Sequence, residues 1–423
     1  MENWFDTAKL GIFIHWGIYS VSGLTESWAF YNGEVSYDEY MSQLNGFTAE
    51  KYNPEEWAEL FLKAGARYAV LTSKHHDGVA LWDTKANDLS VVKKTPAKRD
   101  LVKQYCDAMR KHGIRVGLYY SHLDWSHPDY ASVHAVSNEW WANNKYTSPP
   151  GIIPNDYEKW NRFLTFHREQ ITELLTNYGN IDLLWFDGVW ERPANLWHFK
   201  EMREYIKKLS PSTMVNERIG EYGDYKCPEV GVPTVAPKGR WELCYTMNNS
   251  WGYKESDKKY KTLRQIIRTF TECIGMGGNL LLDIGPKPDG TICDEQKKLL
   301  SGMGEWITKV KESIYETKAG LPAGYFYGAS TLSIDQQTVF LFVYDIPIEG
   351  ICIKGIKNEI KRVSILNNNK EVTFSRNSGF LDVPGEVWID ISQSDIDDVC
   401  TVVKIELDEE LNLYVGEGGG IKA

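Results

Sequence analysis

Short apolar runs alternate with longer amphipathic stretches from residue 10 to residue 285, and nearly all of the runs close on polar or ionisable residues. The runs are LGIFIHW (10–16), RYAVLTSKHHD (67–77), IRVGLYYS (114–121), IDLLWFDG (181–188), TMVNER (213–218) and NLLLDIG (279–285). Between them lie PEEWAELFLKAG (54–65), RDLVKQYCDAMRKHG (99–113), EKWNRFLTFHREQITELLTNYG (158–179), LWHFKEMREYIKKL (196–209) and YKTLRQIIRTFTECIG (260–275). Apolar residues there recur three and four apart, as in Val102, Tyr105, Cys106 and Met109, which is the stripe of a half-buried helix. Gly65, Gly113 and Gly179 follow as C-cap signals. Buried strands alternating with helices imply a parallel sheet. In a chain of 423 residues the pattern predicts a TIM-like (β/α) barrel over residues 1–320, with room for a smaller module.

In such a barrel the C-terminal strand ends converge on one face, where active sites sit. The candidate ends are His15, then Lys74-His75-His76-Asp77, then Tyr120-Ser121, Asp187, and Asn216-Glu217-Arg218. Polar residues also mark ordinary strand–loop junctions, but five successive ends bearing His, Asp and Glu favour a site. With a period of two, Trp185 and Asp187 point to the same side. A carboxylate beside an indole suits a glycosidase nucleophile with a sugar-stacking wall; the plainer alternative is an Asp capping the next helix. His75 and His76 are expected to face opposite ways and not to share one ion. No metal or cofactor is expected, because barrel metallohydrolases present His-x-His on the first strand and only His15 stands there. Hydrogen bonding to sugar hydroxyls fits a neutral imidazole, which offers one donor and one acceptor. The Gly-, Pro- and carboxylate-rich loop after TMVNER holds Glu217 and Glu229, either of which could pair with Asp187.

Charge excludes one class of partner. The sum of 47 basic and 58 acidic residues is −11, which argues against nucleic-acid binding. No apolar run approaches the roughly 18–20 residues of a membrane span. Gly275-Met276-Gly277-Gly278-Asn279 precedes a strand and lacks dinucleotide spacing, and neither a Walker A sequence nor a G-x-S-x-G elbow occurs. Seven scattered Cys form no C-x-x-C pair, so neither a disulfide framework nor a zinc knuckle is expected. Charges fill the N-terminus where a signal peptide is apolar, so a cytoplasmic chain is expected, with a removed leader and a periplasmic or secreted location as the alternative. All nine His precede residue 199 and every Trp but Trp388 precedes residue 307, so chemistry belongs to the front of the chain. Beyond Pro322, runs such as TVFLFVYD (338–345) and CTVVKIEL (400–407) are broken by turns. They predict an antiparallel β-sandwich over 323–415, with a frayed Gly-rich end over 416–423.

Seven blocks carry a family likeness. GIFIHWG (11–17), SKHHDGVALWDT (73–84), VGLYYS and DWSHPDY (116–130), LLWFDG (183–188), GDYKCPE (223–229), WELCYTMNNSWGY (241–253) and GGNLLLDIGPKPDG (277–290) resemble, in order, glycoside hydrolase family 29, the retaining α-L-fucosidases. The resemblance implies hydrolysis of terminal α-L-fucosyl linkages of oligosaccharides or glycoconjugates without a metal. It matches Asp187 to the nucleophile and Glu229 to the acid/base, with Glu217 as the fallback. His15, Trp28, His75, His76, Tyr120, Trp185 and Arg218 match positions lining the fucose pocket, and Trp28 matches the tryptophan of a Glu-Trp pair. Here that motif reads Glu26-Ser27-Trp28. Linkage preference belongs to loop residues around the leaving-group site; for Trp140, Trp141, Trp190 and Trp251 stacking on the aglycone sugar and a place in the core are both open, as is oligomeric state. The competing readings are a metal-dependent barrel hydrolase and a catalytically silent carbohydrate-binding protein.

Overall fold

The structure is a computed structural model that describes residues 4–133, 155–380 and 382–416. Trp140, Trp141 and the end beyond Gly416 lie outside the described residues. Seven strands, all parallel, form the first sheet: β1 (Leu10–Ile14), β2 (Tyr68–Lys74), β3 (Arg115–Ser121), β4 (Leu183–Asp187), β5 (Met214–Val215), β6 (Glu242–Thr246) and β7 (Asn279–Ile284). Their order is β5-β4-β3-β2-β1-β7-β6, a TIM-like half-barrel whose edges are β5 and β6. An irregular segment spans the gap. Tyr225 bridges to Asn216 beyond β5, while Lys226 and Glu229 bridge to Trp241 and Cys244 on the β6 side. The loop carrying Glu229 therefore stands where an eighth strand would.

Six of these strands coincide with the apolar runs of the sequence, and β6 is the addition. Its run, ELCYT, opens on the buried carboxylate Glu242, so it lacks a strand's apolar signature. The predicted helices are present as α1 (Pro54–Lys63), α2 (Leu101–Lys111), α3 (Tyr157–Thr176), α4 (Phe199–Leu209) and α5 (Leu263–Gly275). Asn53, Asp100, Asp156 and Thr262 accept backbone N–H groups at their N-termini, which satisfies donors that a helix start leaves open. Each helix buries one stripe; on α5 it is Ile266, Ile267, Phe270, Cys273 and Ile274, worth about 1.5–3 kcal/mol per large apolar side chain. A further helix, α6 (Asp294–Val310), was not predicted. Gly302 and Gly304 interrupt its pattern, and a Cβ at Gly304 would collide with the Lys63 carbonyl of α1. The helix sacrifices propensity for that close approach.

Nine antiparallel strands follow: β8 (Thr317–Ala319), β9 (Ser330–Ser333), β10 (Thr338–Val343), β11 (Ile351–Lys354), β12 (Ile360–Ile365), β13 (Lys370–Glu371), β14 (Phe374–Asn377), β15 (Glu386–Ile389) and β16 (Thr401–Leu407). They form a six-stranded sheet, β13-β12-β16-β10-β9-β8, and a three-stranded one, β11-β15-β14. Alternate residues of both sheets, among them Val339, Leu341, Ile351, Ile353, Val363, Val387, Val403 and Ile405, build one aliphatic core. The six-stranded sheet also seats on the barrel. Trp306 Nε1 donates to the Cys400 carbonyl at 2.8 Å, and the Thr271 and Tyr344 hydroxyls lie 2.7 Å apart.

Candidate active site

The strand ends converge on a cavity of about 390 Å³ lined by residues of β1, β3, β4 and β6 and of the loops that follow β1, β2, β4, β5 and β6. Asp187 closes β4. Its Oδ2 accepts the Tyr119 hydroxyl at 3.0 Å and its Oδ1 accepts the Gly188 N–H at 2.9 Å. Gly188 has φ +86, and a Cβ there would strike Leu123, so only glycine turns the chain away from the carboxylate without strain. Burial raises the Asp187 pKa, opposed by Arg218, Tyr119 and the Gly188 amide.

Trp185 faces the cavity as period two requires, and its register partner on β3 is Tyr119. Tyr120, expected in the pocket, is not there. One residue along the pleat, it points outward, donates to Gln170 of α3 at 2.9 Å and lies under the Lys74 ammonium, 4.4 Å from its ring centre. A one-residue step in a strand exchanges its two faces, so Tyr119 takes the position given to Tyr120.

The two adjacent histidines also depart from expectation. β2 ends at Lys74, so strand alternation no longer governs His75 and His76. Both rings enter the cavity with centroids 4.2 Å apart. Each cavity imidazole is anchored through Nδ1: His15 to Asp283, His75 to Ser27 and His76 to Ser121, all at 2.6 Å. Burial lowers the pKa of all three, that of His76 to about 3. They are neutral near pH 7, which leaves each Nε2 to meet a hydroxyl as donor or acceptor.

Arg218 follows β5 and stands between two carboxylates. Its Nε is 4.0 Å from Asp187 Oδ1, and its Nη2 is ion-paired with Glu229 Oε1. Glu229 is held by the bridging segment, where the Cys244 N–H donates to the Pro228 carbonyl at 3.2 Å and the Val230 N–H to the Cys244 carbonyl at 3.0 Å. Burial and the Asp187 charge raise the Glu229 pKa against Arg218. Glu217 is used differently. It accepts the Cys227 N–H at 2.9 Å and does not line the cavity.

Several residues that line the cavity or hold its lining in place were not singled out as site residues from the sequence. Glu26 is buried, accepts the Gly252 N–H at 2.6 Å, and has its pKa raised by burial to about 7. Asp283 fixes His15, and Glu242 holds the Trp185 indole at 2.8 Å. Only its place at the end of NLLLDIG could have marked Asp283, by the same strand-end rule. Trp28, expected in the pocket, lies there, edge-on to His76 at 5.6 Å and stacked with Trp190 at 6.1 Å. Trp251 leans on His15 at 5.0 Å. The assembly combines indole walls, neutral imidazoles and two carboxylates flanking one arginine, which is chemistry for a polyhydroxylated substrate and for acid–base or nucleophilic catalysis.

Comparisons with known proteins agree. The sequence profile described as Alpha-L-fucosidase matches residues 1–312. Tissue alpha-L-fucosidase of Rattus norvegicus is 33% identical over 348 residues, covering 75% of this chain and 70% of that protein. Among solved structures, alpha-L-fucosidase isoenzyme 1 from Paenibacillus thiaminolyticus is 32% identical with a TM-score of 0.85, covering 96% of this chain and 98% of that one. A Bacteroides thetaiotaomicron alpha-L-fucosidase, a trapped covalent intermediate with 2-fluoro-fucosyl fluoride, is 25% identical with a TM-score of 0.82 over 96% of this chain and 95% of that one.

Proposed function

The chain belongs to the alpha-L-fucosidase family and is a glycoside hydrolase, and we propose that it cleaves terminal α-L-fucosyl linkages with retention through a covalent fucosyl-enzyme. The observation that carries this reading is the opening of Asp187 and Glu229 into one cavity with Arg218 against both. Asp187 Oδ attacks the anomeric carbon as the glycosidic C–O bond breaks, and Glu229 gives its proton to the departing oxygen. Glu229 then takes a proton from water, whose oxygen displaces Asp187 from the anomeric carbon and regenerates both groups.

Electrostatics support this division of roles. The Asp187 charge raises the Glu229 pKa, which favours a protonated acid in the first step. Once Asp187 becomes a neutral ester that effect vanishes, and Glu229 becomes the stronger acid it must be to rest as a base. Fucose is a 6-deoxy sugar; Trp28, Trp185 and Tyr119 offer its methyl group apolar walls, while His15, His75 and His76 meet its hydroxyls. Fucosylated oligosaccharides or glycoconjugates are therefore the substrates in this reading. Proton NMR of the first-formed product tests it: the α-anomer of fucose is expected, and initial β-fucose would overturn retention. Glu229→Ala is expected to regain turnover with azide on an activated aryl fucoside, whereas rescue of Glu217→Ala instead would move the acid/base role.

A further inference from the structure

His122 and His167 are buried histidines outside the cavity, and the chemistry above leaves them without a task. His122 directly follows β3, and its backbone N–H donates to the Asp187 carbonyl at 2.8 Å. Its ring stacks on Phe186 with centroids 4.4 Å apart, behind the strand face that presents Trp185 and Asp187. His122 Nε2 lies 3.1 Å from the Arg218 carbonyl, and its Nδ1 lies 3.0 Å from His167 Nε2 on α3.

Hydrogen-bond inventory fixes the direction of this chain. A carbonyl only accepts, so His122 Nε2 carries the proton. A neutral imidazole has one N–H, so His122 Nδ1 accepts and His167 Nε2 must donate. Burial holds both rings neutral, His122 with its pKa near 3. The charged groups facing the two rings are Lys74 and Arg168, both cations, which disfavour a second ring proton. Each bond has one workable polarity, and the chain ends on the backbone of the residue that touches both carboxylates.

We propose that His167 and His122 form a directed hydrogen-bond relay that positions Arg218 between Asp187 and Glu229, which makes them positioning residues for the reaction. The inference rests on reading Asp187 and Glu229 as the catalytic pair. Arg218 lowers the pKa of both. If the relay is cut and Arg218 withdraws, both values rise and the whole bell-shaped profile of kcat/KM moves to higher pH.

The test uses the full chain and an aryl α-L-fucoside. His122→Phe keeps the packing on Phe186 and removes both nitrogens; His167→Leu removes only the donor. Both are expected to lower kcat/KM on the order of 10- to 100-fold and to displace both limbs of the profile upward. A profile fixed in pH for both variants would overturn the relay, because a general packing defect lowers activity without moving it. Should either variant fail to fold, ¹⁵N-histidine NMR of the wild-type protein decides: Nε2-protonated neutral rings are expected for both, and an Nδ1-protonated His122 would overturn the proposal. The tautomers do not depend on which residues perform the chemistry, so failure of the catalytic pair and failure of the relay give separate results.

Discussion

The barrel and the β-sandwich of this chain treat buried charge in opposite ways. Beyond residue 322 the described residues bury no Asp, Glu, Lys, Arg or His, and the core between the two sheets is aliphatic with Phe326 at its margin. The barrel buries His15, Glu26, Lys74, His75, His76, Asp77, His122, Asp124, His167, Glu191, Arg192, Glu242 and Asp283, many of them around its mouth. Buried charge opposes folding unless it is paired or neutralised. The sandwich illustrates how such a module folds with no such burden, so the charge in the barrel is a cost attached to function. Substitutions should therefore separate activity from stability according to which region they touch.

The largest separation is expected at Asp187. Asp187→Ala should lower kcat/KM on the order of 10⁴-fold while leaving the melting temperature level or higher, since a desolvated carboxylate is removed; retention of near wild-type turnover would break the contrast. In the sandwich the effects should invert. Ile353→Ala, in the core of β11, should cost about 2–5 kcal/mol of stability in denaturant titrations and leave kcat per folded molecule unchanged.

A finer test compares neighbours on β3. Tyr119→Phe removes a donor to Asp187 and should cost roughly 1.5–3 kcal/mol in transition-state stabilisation, a hydrogen bond to a charged group, measured as kcat/KM. Tyr120→Phe removes only the bond to Gln170, should leave kcat/KM near wild type, and should lower stability by about 1 kcal/mol. The reverse order would return Tyr120 to the pocket.

The most gradual effect is spread over pH. The Glu26 pKa rises from 4.5 to about 7 on folding, so its contribution to stability is full below the unfolded value and lost as pH rises through the folded one. Glu26→Gln, which keeps an oxygen for the Gly252 amide, should flatten the fall in stability across that window by about 1.4 kcal/mol per pH unit. An identical pH dependence in both proteins would place the carboxylate in water.

Much of this was legible because periodicity survives burial. Strands β1 to β5 and β7, helices α1 to α5 and the side of Trp185 and Asp187 follow from spacing alone. The errors have physical causes. Tyr119 and Tyr120 are chemically identical neighbours, and only the β3–β4 register tells which faces inward. His75 and His76 both enter the cavity because the strand stops one residue earlier. β6 was hidden by Glu242, a carboxylate buried inside a strand to hold Trp185, and α6 by glycines needed for close packing. Glu229 could not be chosen over Glu217 by spacing, because its position depends on a bridge to Cys244 in β6, the strand whose run the sequence conceals.

The nucleophile can be caught directly. Incubating the protein with 2-deoxy-2-fluoro-α-L-fucosyl fluoride, then digesting it and mapping the modified peptide by mass spectrometry, reports which oxygen attacked. A single fluorofucosyl ester on Asp187 is the expected result. An adduct on another residue, or turnover of the reagent with no adduct in a protein that releases fucose, would contradict the assignment of Asp187.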